Sequence, residues 1–184
     1  MRAKTWVPLL AVPVLLAFAL SEVQGQPPAA PNAETQRIIR GFSISPVPLK
    51  LRGRNRALVG LGSYIVNAQG GCNDCHTNPP YAPGGDPFNG EPEQINTDGY
   101  LAGGTAFGPF ISANITPDEN GRPAGLSYGE FRNLIRTGHA PDRHPQLGPL
   151  LQVMPWPVYS HMIERDLRAV YEFLRSIPSI ENDN

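Results

Sequence analysis

The chain has 184 residues, 15 basic against 16 acidic, for a net charge of −1. That length supports one domain of ordinary size with a real core, and so even a balance gives no footing for nucleic acid or another strongly anionic partner. Its two cysteines, Cys72 and Cys75, stand three apart, whereas a zinc site would want four ligands, with two more cysteines or histidines at suitable spacing.

Arg2 and Lys4 precede an apolar run from Trp6 to Leu20, and Val23 and Gly25 follow it. This order of basic, apolar and small residues is that of an export leader, predicted to be cut after Gly25. The run contains Pro8 and Pro13 and falls short of the roughly 20 residues that cross a bilayer comfortably. An uncleaved anchor is the competing reading. Export implies an oxidising compartment, where two cysteines would ordinarily form a disulfide.

Residues 26–53 hold Pro27, Pro28, Pro31, Pro46 and Pro48 with little periodicity, and are read as an extended, Pro-rich arm, partly disordered or wrapped over the domain. Residues 54–184 are read as the folded domain. A helix is predicted over 54–69, with Leu58, Leu61, Ile65 and Ala68 on one face. Gly60 and Gly62 weaken it by about 1 kcal/mol each against alanine, which points to close approach of another group. Gly70 and Gly71 end it.

Residues 77–126 are Gly/Pro-rich and aperiodic, a length of irregular chain that is normally functional and that wrapping a large flat cofactor would explain. A helix follows at 128–137, opened by the Ser127/Glu130 capping box and stopped by Gly138, with Phe131, Leu134 and Ile135 inward. Residues 141–160 return to loop. The last helix is predicted from Glu164 to Ser176, with Leu167, Val170, Tyr171 and Leu174 at helical spacing and Pro178 beyond. No alternating strand pattern emerges, so the fold class is mostly α with long loops.

Charge is segregated along the chain. Arg37, Arg40, Lys50, Arg52, Arg54 and Arg56 occur with no acid among them; from Ala57 to Gly121 come Asp74, Asp86, Glu91, Glu93, Asp98, Asp118 and Glu119 with no Lys or Arg. One reading is an ordinary solvated surface. The sharper one is a dipolar molecule that orients before docking on a partner.

Cys72-Asn73-Asp74-Cys75-His76 is C-x-x-C-H, the attachment signature of c-type haem. Two thiols three residues apart at a helix end can reach the two vinyl groups along one haem edge. The next residue then aims its imidazole at the iron. A thioredoxin-type pair would want a βαβ context, and a plain short-range disulfide would leave His76 unexplained. The second axial ligand must come from far along the chain, from Met154, Met162, His139, His144 or His161. Met154 is favoured by its proline-dense loop, Val153-Met154-Pro155-Trp156-Pro157, and by the softness of its thioether. Met162 reads as ordinary packing.

With these residues the chain resembles a class I-type monohaem cytochrome c. More narrowly, it resembles the cytochrome c domains and subunits that accompany periplasmic alcohol and aldehyde dehydrogenases. The resemblance covers about residues 57–178. It rests on Gly62 to Val66 running into Cys72 to Thr77, on Gly103-Gly104 leading to Ser112-Ala113-Asn114-Ile115-Thr116-Pro117-Asp118, on Phe131 to Gly138, and on Met154-Pro155-Trp156 leading to Asp166 to Pro178. It implies a cytochrome c fold, with first and last helices crossing near the haem edge, Gly62 and Tyr64 meeting Val170, Tyr171 and Leu174, and one middle helix. It implies one covalent haem c, His76 and Met154 as iron ligands, Asn114 and Ile115 lining the cofactor, and Arg132 or Arg136 near a propionate, although a surface ion pair is the plainer reading of either arginine. It also implies an electron carrier rather than an enzyme, periplasmic, with a dehydrogenase, an oxidase or another cytochrome as partner, no nucleic acid, and peripheral membrane association left open. The chain departs from the pattern in Ile163 where the last helix usually has a Thr or Ser cap, in the 26–53 arm, and in carrying one haem motif where dehydrogenase cytochrome subunits often carry three.

Overall fold

Asn32 accepts the backbone N–H of Thr35 through its side chain at 2.8 Å, and a helix begins there, a cap worth about 1 kcal/mol. The computed structural model describes residues 31–140 and 148–181. The leader over residues 1–25, its cut after Gly25, and His144 lie outside them.

The helix α1 (Ala33–Ile44) interrupts the arm read as extended over residues 26–53. Its inward side is built of Ile38, Gly41 and Phe42. A glycine at the centre of that side leaves only two large apolar residues, too sparse to show as periodicity. Tertiary packing on the next helix holds it in place. Residues 45–55 then run along the domain, with Val47 buried and Lys50 N–H bonded to the Ser176 carbonyl at 2.7 Å.

Helix α2 (Arg56–Tyr64) starts at Asn55, whose side chain caps Leu58. Both of its inner glycines face a helix. A Cβ on Gly60 would stand 2.7 Å from Phe42 Cε2 and 2.8 Å from Ile38 Cγ2 of α1; one on Gly62 would stand 2.7 Å from Phe173 Cβ. Ser63 Oγ donates to the Gly41 carbonyl at 2.7 Å, tying α1 to α2 from within. The chain then widens into a π-helical turn, Ile65–Gln69, closed by Gly70 N–H on the Ile65 carbonyl at 2.7 Å. Such turns recur at functional sites.

A one-turn helix α3 (Cys72–His76) follows at once. The long irregular stretch holds a 3₁₀ turn at Pro87–Asn89 and a minimal antiparallel hairpin, β1 (Ala106–Phe107) with β2 (Phe110–Ile111), registered Ala106 to Ile111. Helix α4 (Tyr128–Thr137) has both halves of its capping box, and Gly138 stops it at φ +72°. The described part of the loop expected at 141–160 contains one turn of helix, α5 (Trp156–Tyr159).

Helix α6 (Glu164–Leu174) starts from Ile163 with no side-chain cap and carries Glu164 and Asp166 in its first turn, where the helix dipole favours acid. It crosses α2 as expected, and the atoms nearest a Cβ on Gly62 belong to Ala169 and Phe173, where Val170, Tyr171 and Leu174 were expected. The reason is Tyr171, whose ring is taken by Tyr128 and Phe131 of α4 at centroid distances of 5.3 and 5.4 Å. The core runs from Val59 and Val66 through Tyr100 and Leu101 to Leu167 and Phe173, all essentially sealed from solvent. Each such side chain contributes about 1.5–3 kcal/mol by burial. The chain is mostly helical, and among the described residues no helix is long and apolar enough to cross a membrane.

Candidate functional site

Gly71, at φ +57°, turns the chain sharply out of the π-helical segment into α3, a conformation that favours glycine. Its single turn is closed by Asp74 N–H on the Gly71 carbonyl and Thr77 N–H on the Asn73 carbonyl. Cys72 and Cys75 therefore stand on neighbouring positions of one helical face. Both thiols are free and half-buried. Burial pushes the Cys72 thiol up to about 12, with Cys75 adding to it, and burial followed by the Asp74 carboxylate pushes Cys75 upward too. A thioredoxin-type nucleophile needs the opposite displacement.

His76 Nδ1 lies 2.8 Å from the carbonyl oxygen of Ala113. A carbonyl only accepts, so Nδ1 carries the proton and donates it, and Nε2 is left with a free lone pair. Burial lowers the imidazole's affinity for a second proton, and the Ala113 bond opposes this in part. The loop carrying Ala113 is itself fixed. Gly103 N–H bonds the His76 carbonyl at 2.7 Å, and a Cβ on Gly103 (φ +77°) would stand 2.5 Å from the Ala113 carbonyl carbon. The sequence drew attention to the Gly103-Gly104 pair, but not to Ala113 as the anchor of His76.

Two phenols flank Cys72. Burial first, and then the nearby Cys72 thiol, raise the pKa of both Tyr100 and Tyr159. Tyr159 O–H donates to the Gly70 carbonyl at 2.8 Å, so α5 is fastened to the residue before the motif turn. Tyr100 O–H donates to Asn67 of the π-helical turn, and Asn67 bonds back to Ser63. Thr77, fully buried, accepts the Leu101 N–H at 2.9 Å. Asn73 donates to the Pro80 carbonyl at 3.1 Å, and its side-chain oxygen is buried without a partner.

Met154 is half-buried against the core that also receives Cys72, two residues ahead of α5. Met162 packs against that core and also against Leu61, Ile65 and Ala169, between α2 and α6. His139 and His161 are exposed. Asn114 uses its side chain locally, donating to the Ile180 carbonyl at 2.7 Å and accepting from Thr116, and Ile115 packs on the core. Arg132 and Arg136 both pair with Glu164, at 2.9 and 3.5 Å, and Arg136 also donates to the Met162 carbonyl. The surface ion pair is thus what the structure holds for both.

The donor set fits a covalently held haem: two unpaired thiols on one turn, and beside them an imidazole locked in the tautomer that presents Nε2 to a metal. Among the described residues no three His, Cys, Asp or Glu side chains gather as a metal cluster of their own.

The comparisons run in the same direction. Over 119 residues, 65% of this chain, it is 33% identical to the "Gluconate 2-dehydrogenase cytochrome c subunit" of Pantoea cypripedii, covering 23% of that protein. It is 27% identical over 125 residues, 66% of the chain and 24% of the relative, to the "Alcohol dehydrogenase (quinone), cytochrome c subunit" of Gluconobacter oxydans. A "Diheme cytochrome c-type" protein of Cereibacter sphaeroides is 27% identical over 113 residues, 59% of the chain and 33% of the relative. The chain spans about a quarter of the length of the first two. No family model matches the sequence. No solved structure matches the fold. The relatives are c-type cytochromes, and the chain is similar to them. More narrowly, it is similar to cytochrome c subunits of gluconate and quinone-dependent alcohol dehydrogenases.

Proposed function

We propose that this chain is an exported, periplasmic electron carrier with one covalent haem c. Cys72 and Cys75 would form the thioethers, and His76 Nε2 and Met154 would hold the iron. The observation that carries this is His76: its Nδ1 is held on the Ala113 carbonyl beside two unpaired thiols, which leaves Nε2 free for iron. When bound, the haem supplies reversible one-electron chemistry. The chain's own residues hold, orient and bury. The tautomer of His76 is set by Ala113, the motif turn is pinned by Gly71, Thr77 and Tyr159, and Met154 precedes Pro155, the residue at the start of α5. With His76 and Met154 both held to the iron, no open position would be left for a substrate, and the protein would act as a carrier rather than an enzyme. A methionine ligand raises the reduction potential relative to a second histidine.

The partners proposed are redox proteins: a dehydrogenase, an oxidase or another cytochrome. A second reading, a fixed haem subunit of a dehydrogenase complex, is favoured by the names of the relatives. Gel filtration of native extract separates the two, since the carrier elutes near monomer size and the subunit with its partner.

The test of the haem is direct. Protein made in a host able to mature c-type cytochromes should be red, keep its colour through acid–acetone extraction, and resist alkylation at Cys72 and Cys75. A colourless product, or pigment that leaves with the solvent, refutes the assignment.

A further inference from the structure

The loop from Tyr81 to Ile95 is closed at its neck and rigid at its tip. Ala82 N–H bonds the Gln94 carbonyl at 2.8 Å, Gln94 N–H bonds the Gly85 carbonyl at 2.9 Å, and Tyr81 bridges to Ile95. At the tip, the Asp86 carboxylate accepts from Phe88 N–H at 2.9 Å and from the Asn89 side chain, and the Glu91 carboxylate accepts from Asp86 N–H at 2.8 Å. All of this fixes the 3₁₀ turn Pro87–Asn89, and the turn holds the Phe88 ring 84% exposed. A single exposed apolar residue is ordinary. A phenylalanine displayed on a turn locked by two carboxylates is a preorganised anchor of the kind that dominates protein interfaces.

This anchor is connected to the motif helix. The Phe88 ring meets the Tyr81 ring edge-on at 6.3 Å, and Tyr81 O–H donates to Asp74 Oδ1 of α3 at 3.2 Å. Around the two rings stand Asp74, Asp86, Glu91 and Glu93, none of them in an ion pair with a described residue. After burial, Asp74, through its charge and its hydrogen bond, and then Glu93 and Asp86 also raise the Tyr81 phenol. No lysine or arginine occurs anywhere from Ala57 to Gly121. A bare cation does not explain the cluster, since among the described residues no group is arranged to ligate one.

We propose that the Phe88–Tyr81 face, ringed by Asp74, Asp86, Glu91 and Glu93, is the docking surface for a redox protein that presents lysine or arginine side chains around an apolar recess. The acids select a basic partner and steer its approach. Phe88 fills the recess, and Tyr81 and Asp74 hold the partner beside the Cys-x-x-Cys-His turn. The inference deepens the electron-carrier reading and rests on it.

The experiment uses the haem-loaded protein and, as probe, an oxidised lysine-rich cytochrome c, with binding measured by titration calorimetry at low ionic strength. Affinity should fall as salt is added. Phe88→Ala should weaken it about tenfold, Glu93→Gln about two- to threefold, and Phe88→Trp should retain it. Glu119→Gln, which removes the same charge on another loop, should leave it unchanged. No binding, equal affinity of wild type and Phe88→Ala, or an equal loss in Glu119→Gln overturns the proposal. So does a concentration-dependent self-association that Phe88→Ala abolishes, which would assign the face to a second copy of the chain. Reduction of the probe is followed separately. Uptake that no variant alters refutes the docking face and spares the carrier; binding that depends on Phe88 with no electron uptake does the reverse.

Discussion

Gly62 of α2 lies so close to the backbone of Ala169 on α6 that a methyl group on it would overlap the Ala169 carbonyl oxygen. Gly62→Ala would add about 1 kcal/mol of helix propensity. It would also drive apart the two helices whose crossing organises the core, at a cost of about 3 kcal/mol from overpacking. The expected net result is a lower melting temperature by circular dichroism. Gly129→Ala is the matched control, since nothing lies within 4 Å of the added carbon in α4, and it should raise the melting temperature. A Gly62→Ala protein as stable as wild type would mean that the crossing is not close-packed.

The two glycines of α2 show where sequence reasoning stops. Their cost in a helix was legible as close approach; what approaches was not. Gly60 serves α1, a helix hidden because its inward side is interrupted by Gly41. Gly62 serves α6, but at a rotation decided by Tyr171 turning toward Tyr128 and Phe131. Helix α4 could be read almost to the residue because its signals are local: Ser127, Glu130, Gly138 and a compact apolar stripe. The cysteine motif is contiguous and equally plain. The anchor of His76 is a backbone carbonyl, which any residue at position 113 would supply, so no side chain announces it. Phe88 looked like one more residue of an aperiodic stretch, because its meaning lies in the turn that exposes it.

Thr77 tests how firmly the motif turn is joined to the loop behind it. Its hydroxyl is the acceptor for the Leu101 N–H, deep in the core, and Leu101 sits at φ +59° with its side chain wholly buried. Thr77→Val keeps the shape and leaves that N–H without a partner, a loss of about 1–3 kcal/mol. Thr77→Ser keeps the acceptor and should retain more stability than the valine variant in chemical denaturation. The opposite order would show that the methyl group, not the hydroxyl, holds the loop.

Glu164 joins the start of α6 to α4. The Tyr128 hydroxyl and the Arg132 guanidinium, in that order, hold its carboxyl below the ordinary value of 4.5. A carboxylate lowered in this way stabilises the fold above its unfolded pKa, and the contribution fades as pH falls through the folded one. Melting temperature should therefore drop as the solution is acidified below the usual carboxylate range, and Glu164→Gln should flatten that part of the curve while lowering the plateau near neutrality. An unchanged acid limb in the variant would place the dependence on other carboxylates.

The two internal methionines separate by what surrounds them. Met162 is half-buried and packs against both apolar clusters, as a packing residue does; Met154, also half-buried, precedes Pro155 and packs against only the core that receives Cys72. If Met154 is the second axial ligand, Met154→Ala should abolish the weak far-red band of methionine-ligated ferric haem, lower the reduction potential and open the ferrous protein to carbon monoxide, since the thioether is the ligand that had closed that position. Met162→Ala should keep the band and exclude carbon monoxide, yet lose about 2–5 kcal/mol of stability from the cavity it leaves. The two readouts move independently, so the pair of variants assigns each sulfur on its own terms. A band that survives in Met154→Ala and vanishes in Met162→Ala would exchange their roles, and would require α6 to shift from α2 to release Met162.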